Sequence, residues 1–210
     1  MREADIKAAV IARLRKDGDI SSRSVLASEY PIGRTSVRAD LAILQGDFVG
    51  IEIKSQHDSL RRLPRQLSAY RQFFDRTILV VAERHLAAVQ KLALEGIELW
   101  VIHGSSLQTI SVDSRPSLRQ PFTELLTEAQ LIRWSGQMDD GGRTAFTTAF
   151  NLRFGPTSKA FWASVGRRRA TAVDLSLLSR FRDLRTGQLR LRDERAKTWD
   201  QWADGFDVAA

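Results

Sequence analysis

The chain has 210 residues, 43% apolar and 27% charged, with a net charge of +7, a composition ordinary for a soluble globular protein of one medium domain or a core plus an appendage. It contains no run of 18 uncharged apolar residues and no cysteine, which argues against a transmembrane helix and rules out disulfides and thiolate metal sites. His57, His85 and His103 are its three imidazoles, at unpatterned spacing, so a His-rich zinc site is not expected and a metal would need hard oxygen ligands.

The first 18 residues, "MREADIKAAVIARLRKDG", read as a charged amphipathic helix and lack the apolar block of a signal peptide. Ile6, Val10, Ile11 and Leu14 share a face over residues 3–16, and Gly18 is the expected stop. Ser21 or Ser22 is placed to cap a short second helix to about Ser28, ended by Pro31. Residues 36–44 and 48–54 read as two strands around the turn "QGD". Pro64 suits the first turn of a helix to about Phe74. Residues 76–82 read as a buried strand, 84–94 as a helix, 96–103 as a strand and 107–112 as an edge strand.

This order predicts an α/β core with a mixed central sheet flanked by helices over residues 1–112. Residues 113–121 read as a linker, and 122–210 as a mainly helical, basic C-terminal region. Basic charge concentrates there: residues 151–195 hold 11 basic and 4 acidic side chains, in "GRRRA" and "SRFRDLRTGQLRLRDER". A polyanion such as nucleic acid is a reasonable partner for that excess, and a solvated arginine-rich surface is the equal alternative. Trp134, Phe161, Trp162, Trp199 and Trp202 are expected to fill a local core in preference to marking a partner surface.

The hairpin carries the chemistry. Side chains alternate along a strand, so Glu52 and Lys54 share one face while Val49, Ile51 and Ile53 take the other. If the hairpin folds symmetrically about Gly46, Asp40 lies directly across from Glu52, with Cβ atoms about 5 Å apart. Two carboxylates so placed repel. Either water covers the face or a cation sits between them. A divalent cation beside a lysine is what phosphodiester hydrolysis uses: the metal polarises the phosphate and activates water, and the lysine stabilises developing charge. After the hairpin, Gln66 and Tyr70 are spaced i, i+4 on one helix, near Arg61, Arg62 and Arg65 at its start.

The set Asp40, "EIK" (Glu52, Ile53, Lys54) and "QLSAY" (Gln66 to Tyr70) resembles the PD-(D/E)XK nuclease superfamily, in particular its RecB-type branch with a Q-x-x-x-Y signature, and a little-characterised bacterial family within it. The resemblance covers about residues 25–85 and extends over the core to about 112. It implies a restriction-endonuclease-like fold and a metal-dependent DNA nuclease, an Mg2+ (or Mn2+) enzyme of the cytoplasm with DNA as its partner and no membrane. Asp40 and Glu52 would ligate the metal with the Ile53 carbonyl, and Lys54 would be the catalytic lysine. Glu29 is the expected additional ligand, with Glu3 as fallback. Gln66, Tyr70, Arg62 and Arg65 would contact substrate or steady the site. Ala39 stands where the family name has proline. The competing expectation is a non-catalytic nucleic-acid-binding protein on the same scaffold. The C-terminal region suits DNA contacts or a homodimer interface equally.

Overall fold

A computed structural model gives the fold and describes residues 2–104, 106–112 and 120–178. Helix α1 (Glu3–Asp17) ends at Gly18, whose left-handed backbone (φ 85°) closes the helix with N–H bonds to the Leu14 and Arg15 carbonyls. Strand β1 (Val25–Pro31) follows, then the hairpin of β2 (Arg38–Gln45) and β3 (Asp47–Lys54). Helix α2 (Leu63–Phe73) leads into β4 (Arg76–Ala82), the short helix α3 (Leu86–Val89), β5 (Ile97–His103) and β6 (Ser106–Ser111). The six strands form one mixed sheet in the order β1-β2-β3-β4-β5-β6, antiparallel except for the parallel pairs β3–β4 and β4–β5. Beyond it come α4 (Glu128–Arg133) and the long α5 (Arg143–Val165), so this part is helical. Residues 113–119, and 179–210 with the rest of the basic stretch, Trp199 and Trp202, lie outside the described residues.

Residues 21–28, expected as a helix, are not one. Ser21 N–H donates to Gln45 Oε1 at 2.9 Å, and Ser24 N–H donates to the Ser21 carbonyl at 3.0 Å, so the serines build a turn. Val25 to Pro31 then pair along β2. The serine signature marks a turn before a strand here, because side-chain oxygens that cap helices serve turns equally well. The helix expected over 84–94 shrinks to Leu86–Val89 after a 3-10 turn at Glu83–His85. Arg71 of α2 donates to the carbonyls of Ala93 and Glu95 in the turn that follows.

One face of the sheet packs on α1. Ile6, Val10, Ile11 and Leu14 meet Leu41, Ile43, Ile51, Ile53, Ile78 and Val80, all buried; each such side chain contributes about 1.5–3 kcal/mol. The other face carries α2 and the first half of α5, where Phe48 lies against Phe74, Phe146 and Phe150 at ring separations of 4.4, 4.7 and 5.4 Å. Gly50 of β3 makes that approach possible, since a Cβ there would collide with the Phe74 ring. The last turns of α5, with Phe161, Trp162 and Val165, join the α1 face. Helix α5 thus wraps the β1 edge. Ser158 Oγ accepts from Leu26 N–H at 2.8 Å, and Trp162 Nε1 donates to the Ser24 carbonyl at 2.8 Å. These bonds satisfy backbone groups that an edge strand would otherwise expose. Arg143 ties the start of α5 to the hairpin, donating to both Asp75 carboxylate oxygens (3.0 and 2.7 Å) and to the Gly46 carbonyl (2.7 Å).

Candidate functional site

The hairpin register is the one expected from symmetry about Gly46: Gln45 pairs with Asp47, Ala42 with Gly50 and Leu41 with Ile51. One step further, the ladder gives way to a side chain. Asp40 Oδ2 accepts from the Ile53 N–H at 2.6 Å. Ile53 therefore meets Asp40 through its N–H, and its side chain packs toward α1.

Glu52 is 1% exposed, and both of its carboxylate oxygens accept bonds from protein donors. Lys54 Nζ lies 2.5 Å and Gln66 Nε2 2.6 Å from its Oε1, and the Tyr70 hydroxyl donates to Oε2 at 2.8 Å. Tyr70 OH also lies 3.1 Å from the Ile51 carbonyl. The i, i+4 spacing of Gln66 and Tyr70 delivers both groups to one carboxylate, as two side chains on the same helix face can. Gln66 Oε1 is buried and has no hydrogen-bond partner among the described residues. Arg62 and Arg65 are exposed at the start of α2.

A second group of carboxylates converges on Asp40. Oxygens of Glu3, Glu29 and Asp40 lie within 4.8 Å of one another. The expected ligand Glu29 and its fallback Glu3 are thus both present, joined by Lys7, whose Nζ is 2.6 Å from Glu29 Oε1 and 2.6 Å from Glu3 Oε1. Lys7 is a site residue that the sequence reading missed. Its signal was available: Lys7, Val10, Ile11 and Leu14 follow i, i+3, i+4, i+7, so the lysine falls within the apolar stripe of α1.

Glu29 has φ 55°, the left-handed region that β-strand residues avoid at a cost of about 1–3 kcal/mol. The kink turns β1 over. Ala27 and Tyr30 lie in the same core cluster though three residues apart, a spacing that plain alternation would split between faces. Ala39 and Ala42, on either side of Asp40 in β2 and paired with Tyr30 and Ala27, share that cluster too. Both strands change face where their acids meet α1.

Electrostatically these acids are under load. Burial raises Asp40, and the charge of Glu52 adds to it; Lys7 and the Ile53 N–H pull back, and the carboxyl ends near about 8. Burial also raises Glu52, against the opposing pull of Lys54, Tyr70 and Gln66. Burial would lower Lys7, yet its bonds to Glu29 and Glu3 and the charge of Asp40 leave it raised. Burial and then Glu52 push Tyr70 well above its ordinary value, so it stays a phenol donor. A divalent cation fits what is present. The donor set is all hard oxygen, the set magnesium and manganese take. Asp40 carries a cost of ionisation that a cation would remove, and the Gln66 carbonyl oxygen has free lone pairs. Just past β3, Ser55 bonds Asp58 Oδ2 through its N–H (2.7 Å) and hydroxyl (2.6 Å) and closes the turn that follows.

Over residues 1–134 the chain matches the family model described as Bacteriophage P4 protein cII, and it belongs to that family. That span contains every site residue named above. Protein cII of Enterobacteria phage P4 is 37% identical over 91 residues, which cover 43% of this chain and 34% of that protein, so the match spans about a third of its relative's length. A solved structure, a protein of unknown function from Silicibacter pomeroyi, shares 20% identity with a TM-score of 0.39, covering 70% of this chain and 88% of that one.

Proposed function

We propose that this member of the phage P4 cII family is a metal-dependent DNA nuclease of the PD-(D/E)XK type. The observation that carries the reading is that Lys54, Gln66 and Tyr70 all bond the buried Glu52 carboxylate, while Asp40 bonds the N–H of the next residue, Ile53, and feels the charge of Glu52. The order α-β-β-β-α-β, with an antiparallel hairpin followed by a parallel crossover, supports the same reading.

Asp40 and Glu52, with Glu29 or Glu3 beside them, would hold Mg2+ or Mn2+. The bound ion would supply Lewis-acid polarisation of a phosphate and a water of lowered pKa. Lys54 holds Glu52 in place and presents an ammonium to charge that develops on the scissile phosphate. Gln66 and Tyr70 orient the Glu52 carboxylate and keep it from rotating away. With its carboxyl raised to about 8, Asp40 is largely protonated at neutral pH, and a bound cation would favour its ionised form with loss of a proton. Exposed Arg62 and Arg65, at the start of the helix that carries Gln66, are placed to meet the phosphate backbone.

Linear, circular and single-stranded DNA incubated with Mg2+, Mn2+ or EDTA test this directly. The wild type should cut with metal and not with EDTA, and Glu52→Gln and Lys54→Ala should not cut. Metal-dependent cutting that survives both substitutions would sink the site. Binding of DNA without cleavage of any form would favour a non-catalytic nucleic-acid-binding protein.

A further inference from the structure

At the C-terminal end of α1 a groove of about 620 Å³ opens between Arg13, Arg15 and Lys16 on the helix and Arg167, Arg168 and Arg169 in the segment after α5. Its floor is apolar and closed: Ile11, Trp162 and Val165 are buried. None of its lining residues is acidic.

Three of the six cations are fixed by the fold. Arg13 donates to Asp17 at 2.6 Å and to the Leu107 carbonyl at 2.7 Å. Arg15 donates to the Gly166 carbonyl at 2.7 Å and lies over the Trp162 ring, 5.4 Å from its centroid. Arg168 is clamped on Asp174. Lys16, Arg167 and Arg169 are exposed and make no side-chain hydrogen bond or ion pair to a described residue. Asp17 and Asp174 neutralise Arg13 and Arg168; the other four cations repel across the concavity, and an anion in it relieves that repulsion.

We propose that this groove binds the phosphodiester backbone of a nucleic-acid strand, at a site separate from the carboxylates. Five of the six cations are arginines, whose planar fork matches phosphate oxygens in pairs. Two facing rows of charge suit a polymer better than a single small anion. An anionic membrane fits poorly, because surface-binding elements need exposed apolar side chains to insert and those of the groove floor are covered. Helix α1 links the two sites: Lys7 reaches the carboxylates, and Arg15 lies eight residues on, about 12 Å along the axis. That is about four nucleotides of rise along a strand. The inference does not depend on catalysis, since backbone binding needs only the cations.

The test is fluorescence anisotropy of the full chain with a labelled oligonucleotide, as single-stranded DNA, duplex DNA and RNA, in EDTA over a range of KCl. The triple variant Lys16→Glu, Arg167→Glu, Arg169→Glu alters only exposed side chains and should keep the wild-type Tm. Its affinity should fall by at least about tenfold, and the slope of log affinity against log salt should shrink by about three, one for each cation that no longer neutralises a phosphate. Should the charge reversals disturb folding, Lys16→Gln, Arg167→Gln, Arg169→Gln should shift the slope the same way. Wild-type affinity and slope in a folded triple variant would overturn the groove. So would a wild type that binds phosphatidylserine vesicles and no oligonucleotide. Loss of DNA cleavage alone, with groove-dependent binding intact, would count against the nuclease reading and leave the groove standing.

Discussion

Asp174 and Asp40 are both drawn into the protein and sit in opposite surroundings. Asp174, 3% exposed, collects donors from every side: both Arg168 terminal nitrogens at 2.7 and 2.5 Å, Thr171 N–H and hydroxyl at 2.9 and 2.8 Å, and Ser164 Oγ at 3.0 Å. Those bonds, led by Arg168, hold its carboxyl well below the usual range. Asp40 has one backbone N–H, the charge of Lys7 and three acids around it, and is raised to about 8. The first carboxylate is a brace for the end of α5. The second is raised by burial and by neighbouring acids that Lys7 only partly offsets, a perturbation common at functional sites.

The largest expected difference is in activity. Asp40→Asn or Glu52→Gln should lower the DNA cleavage rate by about 10³-fold, whereas Asp174→Asn should leave the rate per folded molecule unchanged. Stability should divide the other way. In EDTA, melting should show Asp174→Asn destabilised by about 1–3 kcal/mol, toward the low end because Arg168 is solvent-exposed. Asp40→Asn should be neutral or stabilising, because it keeps the acceptor for Ile53 N–H and removes the cost of protonating or ionising this carboxyl in the fold.

The pH dependence of the melting temperature in EDTA sharpens the contrast. Asp174 is lowered on folding, so its contribution is present above its ordinary value near 3.8 and is lost as pH falls. Asp40 is raised, so the fold favours its protonated form, and stability is lost as pH climbs from about 4 through about 8. Asp174→Asn should flatten the limb below about pH 4 and Asp40→Asn the limb between about pH 4 and about pH 8. Equal limbs in both variants would erase the distinction. Tyr70→Phe keeps the ring and removes one donor from Glu52, so a loss of about 1 kcal/mol and a Tm lower by about 2–4 °C are expected. The smallest effect belongs to Arg62→Ala with Arg65→Ala. Both side chains are exposed, so stability should stay within about 0.5 kcal/mol while the KM for DNA rises.

Much of the site was legible because β3 and α2 each obey a simple period, although β2 departs from alternation at Asp40. Alternation put Glu52 and Lys54 on one face, the glycine turn fixed the register, and the helical period brought Gln66 and Tyr70 to the same carboxylate. What was not legible depends on partners distant in the chain. Strand β1 reads locally as serine-capped helix, and only pairing with β2 and the cover of α5 make it a strand. The turnover at Glu29 has no sequence signature at a non-glycine residue. Lys7 was visible as a charge inside an apolar stripe, yet its meaning needed Glu29, 22 residues away. That Phe146 and Phe150 would cover Phe48 is likewise a fact of packing that the pattern of α5 alone does not contain.

The central claim is that the raised carboxylates await a cation, and calorimetric titration of the EDTA-treated, dialysed protein with Mn2+ at pH 7 tests it most directly. Repeating the titration in buffers of different ionisation enthalpy counts protons. Asp40 is mostly protonated below its pKa of about 8, so the account predicts saturable binding with about one proton released per ion, and loss of that release in Asp40→Asn. Absence of binding, or binding with no proton released and no change in Asp40→Asn, would contradict it.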